Sequence, residues 1–98
     1  MDFVILLSFK DGLTEQERDE ALVRRAQWSF PEGITVLAEY WTTADEMAVV
    51  VVARADEFQP LWSVVATWQD KFDITVLPAV SAEEGLRIGP EVLTQRLR

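Results

Sequence analysis

The chain has 98 residues, a formal net charge of −8 and a hydrophobic content of 49%. This length fits one domain with its own core, and the negative charge disfavours binding to nucleic acid or to an anionic membrane. The sequence contains neither Cys nor His, which excludes disulfides, thiol catalysis and the usual transition-metal and haem ligands. We therefore expect no cofactor and no metal site.

Targeting signals are not evident in the sequence. Met1 and Asp2 carry no basic segment, and no apolar run approaches the length of about 18 residues that a membrane-spanning helix needs. We predict a cytoplasmic protein.

The first predicted elements are a strand and a helix. Residues 3–9 (FVILLSF) are apolar and end at a Lys-Asp-Gly turn signal, so they predict a strand. Thr14 and Glu17 have the spacing of a capping box, which predicts a helix from there to about Ser29. Its predicted apolar stripe consists of Leu22, Val23, Ala26 and Phe30, with Glu20 and Arg24 as a solvent-side ion pair.

The middle of the chain predicts a hairpin. Residues 34–41 (ITVLAEYW) are β-branched and aromatic, and residues 47–53 (MAVVVVA) contain four valines, whose branched side chains fit a strand better than a helix. The polar link 42–46 joins the two predicted strands.

A second helix and a last strand follow. Asp56 and Gln59 resemble a cap, and Pro60 falls in the first turn, where a missing N–H does least harm. The helix is predicted from apolar residues at helical spacing, namely Phe58, Leu61, Trp62, Val65, Trp68 and Phe72. Residues 73–78 (DITVLP) predict the fourth strand.

The C-terminal residues 81–98 predict a helical extension. Ser81 and Glu84 form a third capping pattern, and the helix is expected to stop at Gly89-Pro90. A last amphipathic turn or two is expected in residues 90–98 (PEVLTQRLR), with Val92, Leu93 and Leu97 on the apolar side.

The element order βαββαβ predicts an α+β fold for the single domain 1–98. With right-handed crossovers it gives a ferredoxin-like sandwich, in which a four-stranded antiparallel sheet in the order 4-1-3-2 carries two helices on one face. A short C-terminal helical extension completes it.

Alternation along the strands predicts which side chains lie on each face of the sheet. The face under the helices is predicted to hold Phe3, Ile5, Leu7, Phe9, Ile34, Val36, Ala38, Tyr40, Ile74 and Val76. The opposite face is predicted to hold Val4, Leu6, Ser8, Thr35, Leu37, Glu39, Trp41, Thr75 and Leu77. This second face is too apolar to stand in water, so we expect a homodimer through it. The alternative is that the C-terminal segment folds back over its own sheet.

Several motifs resemble a small bacterial family of unknown function. They are Trp28 before Pro31-Glu32-Gly33, Tyr40-Trp41, Ala55-Asp56, Trp68, residues 72–76 (FDITV) and residues 78–85 (PAVSAEEG). The strand order and the two-sided apolar strands resemble the dimeric α/β-barrel superfamily. The resemblance implies that fold and a homodimer. The superfamily includes cofactor-free monooxygenases, isomerases, haem enzymes and stress proteins, and its haem and many catalytic members use a His that this chain lacks.

Glu39 is the candidate catalytic residue, because it is the single charge in the apolar run 34–41. In a half-apolar cavity on the open sheet face its pKa would be raised and it could act as a general base. Two alternatives remain: a charge that protects an edge strand, or an ion pair across the dimer to an Arg of the C-terminal segment. The candidate ligand-binding residues beside it are Trp41, Ser8, Leu37 and Thr75.

Two functions are therefore predicted. The first is a non-catalytic homodimeric module that binds a small apolar or aromatic molecule, or only itself or a protein partner. The second is a cofactor-independent enzyme, similar to a monooxygenase or isomerase, with Glu39 as its base.

Overall fold

The computed structural model describes residues 1–97. Its elements in chain order are β1 (Asp2–Phe9), α1 (Glu15–Gln27), β2 (Thr35–Trp41), β3 (Val49–Arg54), α2 (Phe58–Trp68), β4 (Phe72–Ala79) and α3 (Ala82–Arg96). Among the helices of these described residues, none is both long and apolar enough to cross a bilayer.

The four strands form one antiparallel sheet in the order β2-β3-β1-β4. Helices α1 and α2 lie on one face of it, which we call the helix-side face, and the opposite face is the open face. This arrangement confirms the predicted ferredoxin-like fold with a C-terminal helix. Strands β2 and β4 are the two edges.

Capping residues in the sequence mark where α1 and α3 begin, but not where α2 begins. The Thr14 hydroxyl accepts a hydrogen bond from the backbone N–H of Glu17, and the Glu17 carboxylate accepts one from the N–H of Thr14, so the capping box at α1 is confirmed. At α2 the cap position is Glu57, whose side chain makes no capping hydrogen bond, so the predicted cap at Asp56 is wrong.

The core lies between the helix-side face and the two helices. Its buried apolar residues are Ile5, Leu7, Ala21, Ala48, Val51, Ala53, Ala55, Leu61, Val64, Trp68 and Phe72. Four of the rings pack in a chain, with Phe9 stacked on Phe72 and Trp68 meeting Phe72 and Trp28 nearly edge-on. These rings join the mostly aliphatic buried residues to the partly buried rim of the core, and each contributes a large apolar area.

The inward side of α1 differs from the predicted stripe. Ala21 is buried, whereas Leu22 and Val23 are 55% and 59% exposed. The side chains that face the sheet from α1 include Arg18, Ala21 and Arg25, which recur at helical spacing.

The predicted pair of Glu20 with Arg24 is also wrong, because both residues bind the last turn of α2 or the segment that follows it. Arg24 makes two hydrogen bonds to the Asp70 carboxylate and one to the carbonyl of Thr67, each 2.8 Å long. The Nζ of the buried Lys71 lies 3.0 Å from a Glu20 carboxylate oxygen. These ion pairs fix α1 against the end of α2 and thereby set its rotation.

Helix α3 continues through Pro90 instead of stopping there. Pro90 removes one N–H from the helix, but hydrogen bonding resumes after it, and the Thr94 hydroxyl donates to the Pro90 carbonyl at 2.9 Å. No residue of α3 is buried, and the molecule is 55 Å long with a radius of gyration of 16.2 Å. A compact chain of this length would have a radius of gyration of about 12.5 Å. Helix α3 therefore projects from the body and does not fold back over the sheet.

Candidate functional site

A β-bulge in β2 decides where the candidate residues lie. Val36 is opposite Ala53 on β3, but the next pair is Ala38 with Val52, so Leu37 is an extra residue without a partner in the register. Because side chains alternate along a strand, one extra residue reverses the face of every residue that follows.

The bulge places Glu39 and Trp41 on the helix-side face. Glu39 is opposite Val51 and Trp41 is opposite Val49, and both valines lie on the helix-side face. The predicted position of Glu39 in a cavity on the open face is therefore wrong, as is that of Trp41.

The same shift moves Ala38 and Tyr40 to the open face. They are opposite Val52 and Val50, whose partners on β1 are Val4 and Leu6. Tyr40 is 70% exposed, so its predicted place under the helices is also wrong. The predicted faces of β1 and β4 agree with the strand pairing. Ile5 and Leu7 of β1 are paired with Val76 and Ile74 of β4, and all four were predicted on the helix-side face.

Glu39 forms a two-point ion pair with Arg25 of α1. The Arg25 Nε and Nη2 atoms donate to the two Glu39 carboxylate oxygens at 2.9 and 2.6 Å. The indole Nε1 of Trp41 donates to the same carboxylate at 2.9 Å, and Arg25 Nη1 donates to the carbonyl of Trp28 at 3.0 Å. The Arg25 guanidinium also lies over the rings of Trp28 and Phe30.

This environment stabilises the charged form of Glu39. The hydrogen bonds from Arg25 lower the pKa of the carboxyl group, partial burial opposes them, and the bond from Trp41 and the Arg25 charge lower it further. The expected raised pKa is therefore contradicted. Within the described residues of the chain, the ion-pair partner of Glu39 is Arg25.

Arg25 and Glu39 border a cavity of about 120 Å³, which lies between the sheet and helices α1 and α2. We call it the helix-side cavity. Its apolar lining is formed by Ile5, Leu7, Phe9, Ala21, Leu22, Trp28, Phe30, Trp41, Val49, Val51, Val64, Trp68 and Phe72. Its charged lining is formed by Arg18, Arg25 and Glu39. The lining is thus mostly apolar and rich in aromatic side chains, and it contains three charged side chains.

Arg18 is held by the loop between β2 and β3. Its guanidinium donates to both Asp45 carboxylate oxygens at 2.6 and 3.0 Å and lies over the Phe9 ring, 4.7 Å from its centre. The Asp45 carbonyl accepts a hydrogen bond from the backbone N–H of Phe9, which ties the loop to the end of β1.

The other candidate residues do not join Glu39 and Trp41. Ser8 and Thr75 follow the open-face alternation of β1 and β4, and Leu37 is the bulge residue. The Ser8 hydroxyl accepts a hydrogen bond from the backbone N–H of Met47, a residue with a positive φ of 50°. Ser8 therefore supports the hairpin loop in this structure.

Sequence reasoning missed the part of the cavity that α1 supplies. Arg18, Ala21, Arg25 and Trp28 recur at spacings of three and four, which is the signal that places them on one side of a helix. The signal was obscured because Val23, which is 59% exposed, is more apolar than Arg18 and Arg25, which line the cavity.

Residues 1–93 match the family described as a domain of unknown function, DUF3303. The chain belongs to this family. No curated protein and no solved structure matches it.

In this DUF3303 domain, the cavity is an apolar, ring-lined space with three charged side chains in its lining. Glu39 meanwhile has its two oxygens occupied by Arg25 and Trp41. A general base needs a free oxygen within reach of a substrate proton.

Proposed function

We propose that the chain is a non-catalytic homodimeric module that binds a small apolar or aromatic molecule in the helix-side cavity. The cavity of about 120 Å³ between the sheet and its two helices carries this proposal. It is several times the space of one water, and it approaches the roughly 150 Å³ of an engineered apolar cavity that binds benzene in another protein.

An apolar ligand gains free energy by entering this space, because its own surface and the apolar lining are removed from water together. The exposed Leu22 and Trp41 lie on its lining, so the space is not sealed from solvent. A ligand thus has both a reason to bind and a path of entry.

The alternative of a cofactor-independent enzyme loses its physical basis in this geometry. It required a Glu39 carboxyl with a raised pKa beside a cavity on the open face. The carboxyl instead has a lowered pKa and lies beside Arg25 on the helix-side face.

The open face of the sheet supports the homodimer. Its central pairs in the register are apolar on β1 and β3, with Val4 opposite Val52 and Leu6 opposite Val50. Leu77 on β4 continues this surface and is 46% exposed. An apolar sheet face of this kind is normally covered, and a second copy offers a surface of the same shape and character.

Helix α3 adds apolar surface that its own subunit leaves uncovered. Leu86, Val92 and Leu97 are 80%, 58% and 79% exposed. Contiguous exposed apolar surface of this kind often marks a protein–protein interface, which is consistent with a homodimer.

Native mass spectrometry of gently purified protein tests both parts of the proposal. We expect the mass of a dimer with a reproducible added mass from a retained small molecule. In Ala21→Leu, which fills the cavity, the added mass should disappear while the dimer remains. A clean monomer, or an added mass that is the same in both proteins, would contradict the proposal.

A further inference from the structure

The charged groups of the helix-side cavity have more hydrogen-bond donors than acceptors. A guanidinium has five N–H groups. Within residues 1–97, Arg25 uses three of them, two on Glu39 and one on the Trp28 carbonyl. Arg18 uses two, both on Asp45. Each arginine therefore keeps N–H groups that no described side chain or backbone group accepts from.

The carboxylate in the cavity lining has little remaining capacity to accept hydrogen bonds. The Glu39 carboxylate already accepts three hydrogen bonds, of the roughly four that a carboxylate can accept. The Asp45 carboxylate that pairs with Arg18 is 66% exposed and is not part of the cavity lining. The lining itself thus carries two guanidinium groups against one carboxylate.

The apolar part of the cavity has room for one ring. Its volume of about 120 Å³ is close to what a benzene-sized molecule requires. Trp28, Trp68 and Phe72 stand on its wall, and aromatic side chains form favourable edge-to-face or offset contacts with another ring.

We infer that the helix-side cavity binds a single aromatic ring that carries one carboxylate, with the ring among the aromatic side chains and the carboxylate on Arg25. This inference rests on the proposed ligand-binding function and names the class of ligand. A carboxylate fits better than a neutral oxygen because a charge-assisted hydrogen bond is roughly twice as strong as a neutral one. The Nε and Nη2 atoms of Arg25 already donate to Glu39, so the ligand carboxylate would accept from the remaining N–H groups of the guanidinium.

Three probes of the same ring size separate this inference from the proposed function. Benzene tests the apolar cavity, benzamide adds a neutral polar group, and benzoate adds the carboxylate. We would titrate each into the wild-type protein at pH 7 and follow the indole N–H resonances by NMR. We expect benzoate to bind at least about tenfold more tightly than benzamide, since bonds to a charged group contribute more than neutral ones.

Two variants test whether Arg25 binds the carboxylate of the ligand. Arg25→Gln removes the donor and should weaken benzoate binding about tenfold or more, with a much smaller effect on benzene. Glu39→Gln removes the carboxylate that competes for Arg25, so it should strengthen benzoate binding several-fold relative to benzene binding measured in the same variant. Should Arg25→Gln fail to fold, Glu39→Gln and the wild-type comparison still decide the question.

The outcomes are distinct. Saturable benzene binding with benzoate equal to or weaker than benzamide overturns the carboxylate inference and leaves the proposed function standing. If none of the three probes shifts the cavity resonances, the proposed function fails together with the inference. Tighter benzoate binding that Glu39→Gln strengthens supports both.

Discussion

Arg25 of α1 and Glu39 of β2 join the first helix to the edge strand by two hydrogen bonds of 2.6 and 2.9 Å. The pair exists because the bulge at Leu37 turns Glu39 towards the helices. It fixes the position of α1 over the sheet at the side of the helix-side cavity, and it holds the indole of Trp41 through the same carboxylate.

Replacement of Glu39 by Gln should lower the free energy of unfolding by about 1 to 2 kcal/mol. The change leaves the partly buried Arg25 without its anionic partner, and a partly buried charge that loses its partner is costly. Urea denaturation at pH 7 measures the effect. Glu84→Gln is the matched control, because Glu84 pairs with Arg87 on the exposed α3 and its loss should have no measurable effect. Equal losses in the two variants would contradict a special role for Glu39.

The contribution of Glu39 should also depend on pH. Its pKa in the folded protein is lowered from the ordinary value of 4.5, so folding favours the ionised carboxylate. The stabilisation is therefore present above pH 4.5 and is lost as the pH falls through the folded-state pKa. The difference in unfolding free energy between wild type and Glu39→Gln should shrink below pH 4.5. A difference that stays constant or grows on acidification would refute this assignment.

Much of the architecture follows from local patterns in the sequence. The capping box at Thr14 and the valine run of β3 were sufficient to place α1 and a central strand, because each depends on neighbouring residues alone. The strand order then followed from the handedness of the crossovers.

The site was less predictable because it depends on one irregularity. Alternation along 34–41 placed Glu39 and Trp41 on the open face, and only the pairing with β3 reveals the bulge that reverses them. Gly often marks a bulge in sequence, but here the extra residue is Leu37, which carries no such signal. The rotation of α1 was missed for a similar reason, since it is set by ion pairs of Arg24 and Glu20 to residues far along the chain.

Replacement of Leu6 by Lys should convert the proposed dimer to a monomer. Leu6 lies opposite Val50 in the middle of the open face, and a buried ammonium group there would have no partner. Sedimentation velocity measures the subunit number. Ala66→Lys is the control, because Ala66 is exposed on α2 and the substitution introduces the same charge. A Leu6→Lys protein that sediments like the wild-type dimer would rule out face-to-face packing of the sheets.

Replacement of Ala21 by Leu should fill the helix-side cavity without harming the fold. Ala21 is buried on the lining, so a larger side chain can occupy free volume, and we expect the free energy of unfolding to rise by up to about 1 kcal/mol. Ala26→Leu on the exposed side of α1 serves as the control and should change little. Strong destabilisation by Ala21→Leu alone would show that the space is not available to a side chain or to a ligand.

The most direct test of the ligand-binding cavity is a benzene titration followed by the indole N–H resonances of the four tryptophans. Trp28, Trp41 and Trp68 line the cavity, whereas Trp62 stands on the outer side of α2 and is 64% exposed. We predict saturable shifts of the three cavity indoles, a constant Trp62 signal, and loss of the shifts in Ala21→Leu. If the cavity indoles do not respond, or if Trp62 alone shifts, the helix-side cavity is not a ligand site.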